Sequence, residues 1–324
     1  MRRSDWLIGA VLMVCPGLAW ADVPPMPPPT LDPLPQAQPA DPLSGAAAAP
    51  LVIRPVTLSV PEPESVYPPP SAAPLNEGEN EGAMHYHLEV SFLNRYVYRG
   101  VDQTPIPYRS ENPLQFNGTA EMDLGNLPHP FVGLFSNIFD HDPVSRFEEV
   151  RPYVGARWTI KPLTISGGYN DYIFPNREKT SDTQEGFASL GLDDSRIWNT
   201  EQPILSPYIY GAYDFARYHG AYMEVGIRHD FVIGDSGVTL SPQGEVAYVI
   251  KDHYFLRAPH TLDSGWQHYE VGMVGSYLIN EGLNFPKRYG TWKVVGYLFY
   301  DDGLQTRIRA DSRLWGGVGL SFDY

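Results

Sequence analysis

From residue 84 onward the chain alternates apolar and polar residues with period two, in runs longer than a globular strand usually needs. In the first run Tyr86, Leu88, Val90, Phe92, Asn94, Tyr96 and Tyr98 interleave with His87, Glu89, Ser91, Leu93, Arg95, Val97 and Arg99. The next sets Leu114, Phe116, Gly118, Ala120, Met122 and Leu124 against Gln115, Asn117, Thr119, Glu121 and Asp123. Period two puts each set on its own face of a strand. Ordinary strands run about five or six residues, whereas a tilted membrane-crossing strand needs about 9–11. The pattern predicts an all-β fold, a transmembrane antiparallel up-and-down β-barrel. Its strands are expected over 85–99, 112–124, 129–140, 147–160, 163–175, 184–193, 204–215, 219–231, 237–250, 266–280, 290–302 and 311–324. That makes twelve, an even number as single-chain bacterial barrels have; ten is the alternative, because 184–193 carries the weakest pattern.

The end of the chain is the most specific barrel feature. Leu314, Gly316, Val318, Leu320, Phe322 and Tyr324 alternate with small or polar residues, and the chain stops on an aromatic. Leu320, Phe322 and Tyr324 are expected to be the signal that barrel-assembly machinery reads. A closing strand must pair on both sides, since hydrocarbon satisfies no open edge. A soluble sandwich is the competing reading, but its buried faces would not carry this much Gly and Tyr.

The first residues read as an export signal. Arg2 and Arg3 precede the apolar stretch Trp6–Val14, and Ala19-Trp20-Ala21 is a small-x-small site, so cleavage is expected after Ala21. The apolar stretch is shorter than the ~20 residues of a spanning helix. The chain's single cysteine, Cys15, lies in this segment, so the exported chain is expected to have no disulfide, thiolate metal site or thiol nucleophile. The division is 1–21 signal peptide, 22–83 linker and 84–324 barrel. The linker holds 17 of the 32 prolines, which predicts a disordered, extended, solvated periplasmic segment. At about 3.1 Å per residue it could reach on the order of 150–190 Å, far enough for the cell wall as a partner.

Net charge is -15 and the pI about 4.9, which leaves no basic patch for a nucleic acid. Aromatics make up 13% of the chain, as expected where rings meet both lipid and water.

Asn94-Arg95-Tyr96-Val97-Tyr98-Arg99-Gly100-Val101-Asp102-Gln103-Thr104 resembles the opening motif of the TorF family, which is classed among outer-membrane porins. Shorter echoes are Asn112-Pro113-Leu114-Gln115, Gly133-Leu134-Phe135-Ser136-Asn137, Gly168-Tyr169, Leu205-Ser206-Pro207 and Tyr213-Asp214-Phe215. The resemblance spans most of 84–324 and none of the Pro-rich segment. It implies a barrel with a transport role and carries no solute with it.

The expected lumen-lining charges are Glu89, Arg95, Arg99, Glu121, Asp123, Arg151, Arg157, Glu224, Arg228, Asp230, Glu245 and Glu270. With the first strand running outward and the second returning, Glu89 and Glu121 share a level, and Arg95 sits mid-barrel beside Asn117 and Thr119. Charges on this face either tune which ions pass or pair with one another and fill a closed barrel; both remain open. An enzyme would need a nucleophile with its base, and the strand-end residues Asp140-His141-Asp142, Asp193-Asp194, His253, His260 and Asp301-Asp302 show no such spacing. Acidic loops could hold calcium, but no spacing singles out a site, so no metal and no cofactor is expected. The reading is an outer-membrane channel for small solutes or ions, contacting lipid. The alternatives are a non-conducting barrel tethered through its Pro-rich segment, and an outer-membrane enzyme.

Overall fold

A computed structural model describes residues 83–104, 112–139, 146–175, 182–200, 202–255 and 264–324. The expected signal peptide (1–21) and the expected linker (22–83), apart from its last residue, lie outside the described residues. Twelve strands form one closed antiparallel barrel: β1 (Met84–Leu93), β4 (Leu114–Met122), β5 (His129–Ile138), β6 (Phe147–Ile160), β7 (Leu163–Tyr172), β8 (Thr183–Leu192), β9 (Tyr208–Asp214), β10 (Ala221–Arg228), β12 (Val238–Ile250), β13 (Ser264–Leu278), β14 (Thr291–Gly303) and β15 (Arg313–Asp323). Each pairs with its neighbours in sequence, and β1 pairs with β15 to close the ring. Short β11 (Phe231–Val232) is an extra strand that adds to the start of β12. Two-residue strands β2 (Val97–Tyr98) and β3 (Val101–Asp102) form a separate hairpin.

The even strand number returns the chain to its start. Tyr86 N donates to Tyr324 O at 2.6 Å and Tyr324 N to Tyr86 O at 2.8 Å. Strands β4, β6, β8, β10 and β13 also finish at this near end, and β1, β5, β7, β9, β12 and β14 finish at the far end.

The faces are reversed relative to a soluble sheet. In β1, Leu88, Val90 and Phe92 are 41%, 42% and 49% exposed, while Ser91 between them is 2%. In β4 the inner residues Gln115, Asn117, Thr119 and Glu121 are all buried. Val154, Ile209, Val225, Val271, Leu298 and Val318 continue the outward apolar band around the ring. A closed wall that turns its apolar face outward satisfies every ladder group internally and leaves that face for hydrocarbon; this is a membrane barrel.

The first strand ends six residues earlier than its periodicity suggests, at Leu93. Its ladder ends at Asn94, whose N–H donates to Gly316 O at 2.9 Å and whose Oδ1 accepts Gly316 N–H at 3.0 Å. Beyond it the chain leaves the wall. Arg95 therefore does not sit mid-barrel beside Asn117 and Thr119. Those residues face Glu89 and His87 across the ladder, and Glu121 faces His85, so Glu89 and Glu121 do not share a level either. Asp123 likewise falls past the end of β4, where its Oδ1 accepts Gly125 N–H at 2.6 Å and lies 3.2 Å from His129 Nε2. It is a turn residue because β4 stops at Met122.

The long near-end turn after β8 is organised by Asp194. It accepts N–H groups of Ile204 at 2.8 Å, Leu205 at 3.0 Å and Ser206 at 3.4 Å, and Trp198 Nε1–H at 2.7 Å. Burial works to raise the Asp194 carboxyl, but these donors, Leu205 and Trp198 foremost, outweigh it and hold the group below its usual range. A depressed folded pKa contributes stability above the unfolded value of about 3.9 and loses it as pH falls through the folded value. Asp194→Ala is expected to cost about 2–3 kcal/mol at pH 7. In urea unfolding, the gap between wild type and variant should close below about pH 4; a gap unchanged at pH 3 would count against this role.

Candidate functional site: a hairpin inside the barrel

The lumen is occupied by the hairpin that follows β1. Arg99 and Gly100 both take left-handed backbone conformations (φ 47° and 68°), which turn Val97–Tyr98 back onto Val101–Asp102. Tyr96 N–H donates to Thr104 Oγ1 at 3.1 Å and Gln103 N–H to Tyr96 O at 2.7 Å, closing the base of the hairpin. Tyr96 and Val101 are buried in one cluster with Phe131 and Phe135 of β5, Tyr153 of β6, Phe187 of β8, Tyr210 of β9, Tyr222 of β10 and Val249 of β12. Those residues come from six strands of the wall, so the hairpin lies within the ring.

Polar contacts tie it to the wall on several sides. Tyr96 OH donates to Glu149 Oε2 at 2.5 Å, and Tyr98 OH to Tyr172 OH at 2.9 Å. Gln267 Nε2–H donates to Arg99 O at 2.7 Å, and Asp311 N–H to Gly100 O at 2.8 Å. Asp102 accepts from Arg95 at 3.0 Å and from Arg313 at 3.2 Å, which places Arg95 at the hairpin's root. At the tip, Arg99 Nη1 and Nη2 donate to the two oxygens of Glu185, each at 2.9 Å, and Nη2 reaches Tyr210 OH at 3.2 Å. The guanidinium lies 4.4 Å from the Tyr222 ring centre, 5.0 Å from Tyr98 and 5.9 Å from Tyr210. Two parallel charge-assisted bonds plus ring faces offset much of the cost of burying this ion.

Gly100 sits against a wall residue. A Cβ there would lie 2.5 Å from the His268 ring, and the φ disfavours any side chain as well. Gly100→Val is therefore expected to destabilise the inserted hairpin by about 1–3 kcal/mol while leaving the barrel wall folded. Faster proteolysis within 94–104 of the folded variant, with an unchanged heat-shifted gel band, is the measurement. Wild-type protection would show that the hairpin tolerates a Cβ there.

The other charges pair mostly with each other. Glu121 accepts from Arg157 at 2.9 Å, Arg228 donates to Asp230 at 3.0 Å, and Glu89 accepts from Tyr297 OH at 2.6 Å. Arg151 is buried, 4.6 Å from the Phe135 ring centre and 3.5 Å from Glu149. One stretch of wall is acidic. Glu245 faces Glu270 across β12 and β13, and Glu270 faces Asp301 across β13 and β14. Glu224 is close by, with Tyr208 OH lying 3.0 Å from it and 2.9 Å from Glu245. His268 is fully buried between them, 3.8 Å from Glu245 and 3.9 Å from Asp301.

Between hairpin and wall at the far end lies a small cavity, partly open to solvent. Tyr98, Arg99, Gln103, Tyr172, Glu185, Asp214, Asp252 and Tyr254 are among its lining. Asp214 Oδ1 accepts the N–H groups of Ala216 at 3.2 Å and of Arg217 and Tyr218 at 2.9 Å. Asp252 Oδ1 accepts Tyr254 N–H at 3.0 Å, and burial pushes its carboxyl up to about 6. Among the described residues neither aspartate enters an ion pair.

Glu185, Tyr210, Tyr222 and Asp252 were not singled out by the sequence reading. Glu185 lies in the strand with the weakest pattern, and inward tyrosines are indistinguishable by period from a rim of outward ones. Among the described residues no group of three His, Cys, Asp or Glu side chains could hold a metal ion. Of the strand-end acids and histidines, Asp140-His141-Asp142 and His260 lie outside the described residues. Asp194 builds its turn, Asp301 accepts Trp315 Nε1–H at 2.5 Å, and Asp302 accepts Gly303 N–H at 2.9 Å.

No protein-family model matches the chain, and no curated protein does. Among solved structures, a bacterial polysaccharide outer membrane secretin overlaps 76% of this chain and 100% of its own at 9% identity and a TM-score of 0.36. A loop-deletion mutant of OmpT, an outer membrane protein of Vibrio cholerae, overlaps 74% and 98% at 10% identity and a TM-score of 0.31. Pseudomonas aeruginosa OccK10 (OpdN) overlaps 76% and 99% at 9% identity and a TM-score of 0.29. The barrel assignment stands on the chain's own strand pairing, not on these overlaps.

Proposed function

We propose that this chain is an outer-membrane channel for small polar solutes or ions, closed at rest by its own hairpin at 96–103. The observation that carries the reading is what fills the ring. The occupant is a hairpin held both by polar bonds and by its buried Tyr96, Val97 and Val101, inside a wall whose inner face carries charge. A wall built only to be solid could fill itself with its own side chains. Lumen charges tune passage in such barrels, and here Glu89, Arg99, Glu121, Arg151, Arg157, Glu224, Arg228, Asp230, Glu245 and Glu270 are proposed to do so, with Arg95 at the hairpin root and Asp123 at the near-end turn. The acidic stretch Glu245–Glu270–Asp301 supports a preference for cations. In planar bilayers across a salt gradient, the open state should give a reversal potential of the cation-selective sign; anion selectivity would contradict the role given to this stretch.

A second reading, a non-conducting barrel, is favoured by one specific observation: the bidentate Arg99–Glu185 pair is buried among aromatics. Under either reading, export with cleavage after Ala21 and assembly through Leu320, Phe322 and Tyr324 are part of the proposal. So are periplasmic placement of the near end, reach of residues 22–83 toward the cell wall, and membership of the TorF family. They are supported by the sequence features that suggested them.

A further inference from the structure

We infer that the pocket holding Arg99, together with the cavity beside it, is a binding site for a small guanidinium-type organic cation, and that Arg99 occupies it as a built-in mimic of that solute. The inference rests on the channel reading for how a solute arrives and leaves, but not for the binding itself.

The argument begins with which element owns which part. The receiving groups belong to the wall: Glu185 on β8, Tyr210 on β9 and Tyr222 on β10. The cation is delivered by the inserted loop, on a hairpin tip. Removing the hairpin takes away the occupant and leaves these receiving groups in place. Toward the guanidinium, Glu185 presents two oxygens in fork geometry at 2.9 Å and Tyr210 an acceptor oxygen at 3.2 Å, and tyrosine rings flank it. Glu185 is itself buried, and Asn170 at 3.1 Å and Tyr172 OH at 2.6 Å orient it from the same wall. A planar cation with parallel N–H donors fits this geometry; a rounded quaternary ammonium has no donor to offer it. The hold on Arg99 is also incomplete. Its Nε–H is buried with no hydrogen-bond partner among the described residues, so the occupant is not fully satisfied where it lies.

The cavity supplies an approach: it is small and partly open to solvent, and Arg99 and Glu185 are in its lining. On its lining Asp214 and Asp252 add negative charge that is not neutralised by an ion pair among the described residues. Asp214 stands directly across the β8–β9 ladder from Glu185, so a cation in the cavity is drawn to both carboxylates together.

The test uses the full mature chain folded in detergent, with methylguanidinium as probe and calorimetry as readout. Arg99→Ala should bind methylguanidinium at least tenfold more tightly than wild type, whose pocket is filled. Binding should fall at least tenfold in Arg99→Ala combined with Glu185→Gln, and tetramethylammonium should bind the single variant at least tenfold more weakly than methylguanidinium does. Equal binding by wild type and Arg99→Ala, or binding that survives loss of the Glu185 charge, would overturn the inference. If Arg99→Ala does not fold, refolding it with methylguanidinium decides: rescue supports the site, and failure of rescue overturns it. Bilayer conductance on the same protein separates the two readings. Binding without conductance in any hairpin variant would leave the site standing and remove the channel; conductance without binding would do the reverse.

Discussion

Replacing residues 96–103 by a short Gly-Ser segment should raise single-channel conductance by at least about tenfold over the wild-type protein, because the lumen then loses its main obstruction. The size of the effect follows from what leaves. Tyr96, Val101 and the Arg99 side chain occupy the space enclosed by the wall's aromatics, and no spanning strand is touched. The wall should survive the change. Its ladder from β1 to β15 uses none of these residues, and Asn94 still ends β1 against Gly316. The change does leave Glu185 without its cation, which for a buried pair costs about 3–5 kcal/mol unless water enters. An opened lumen admits that water, so the loss should be smaller here than for Arg99→Ala alone in a closed barrel. Heat-shifted migration establishes that the variant is folded before conductance is read. A folded variant that stays silent would favour the non-conducting barrel.

The barrel was legible because period two survives wherever one face meets lipid and the other does not. Each of the twelve expected strands overlaps an observed one, and 184–193, the weakest, corresponds to β8 almost residue for residue. The same rule explains the error at β1. The alternation of Tyr86–Tyr98 continues past Asn94 because the hairpin is itself β-structure, with Val97 and Val101 turned to a packed interior. Period two cannot tell a wall strand from a strand folded inside the wall. Only Arg99-Gly100 hinted at a turn, and a lone glycine in a strand is an ambiguous signal. The site was harder to read than the fold for a related reason. Inside this barrel charges are buried with partners off their own strand, such as Arg99 of the hairpin with Glu185 of β8, and Arg157 of β6 with Glu121 two strands away on β4. Those pairings depend on how strands and hairpin come together in space, which no local pattern records. Naming the charged residues was possible; pairing them was not.

The outward face makes the second large prediction, and it is one of depth. Val318 stands at the centre of β15, whose span is Arg313–Asp323, and it is 58% exposed beside Phe92 of β1 and Gly296 of β14. Its neighbours on the same face are Leu320 and Phe322, stepping toward the near end and its terminal Tyr324. An arginine at the bilayer midplane of such a wall costs about 2–4 kcal/mol, falling to about 0–1 near the interface, because a longer reach brings the guanidinium to water. Val318→Arg should therefore reduce folded barrel most, Leu320→Arg less, and Tyr324→Arg by the smallest thermodynamic amount. Val318→Leu should be neutral. Stability is measured by urea unfolding in lipid vesicles, which isolates the lipid cost from assembly in the cell. In cells the order should differ at one position: if Tyr324 is the proposed assembly signal, its loss blocks assembly even though its folding cost in vesicles is small. Equal costs at 318 and 324 in vesicles would mean that this face does not meet a hydrocarbon gradient, and the membrane reading of the apolar band would fail with it.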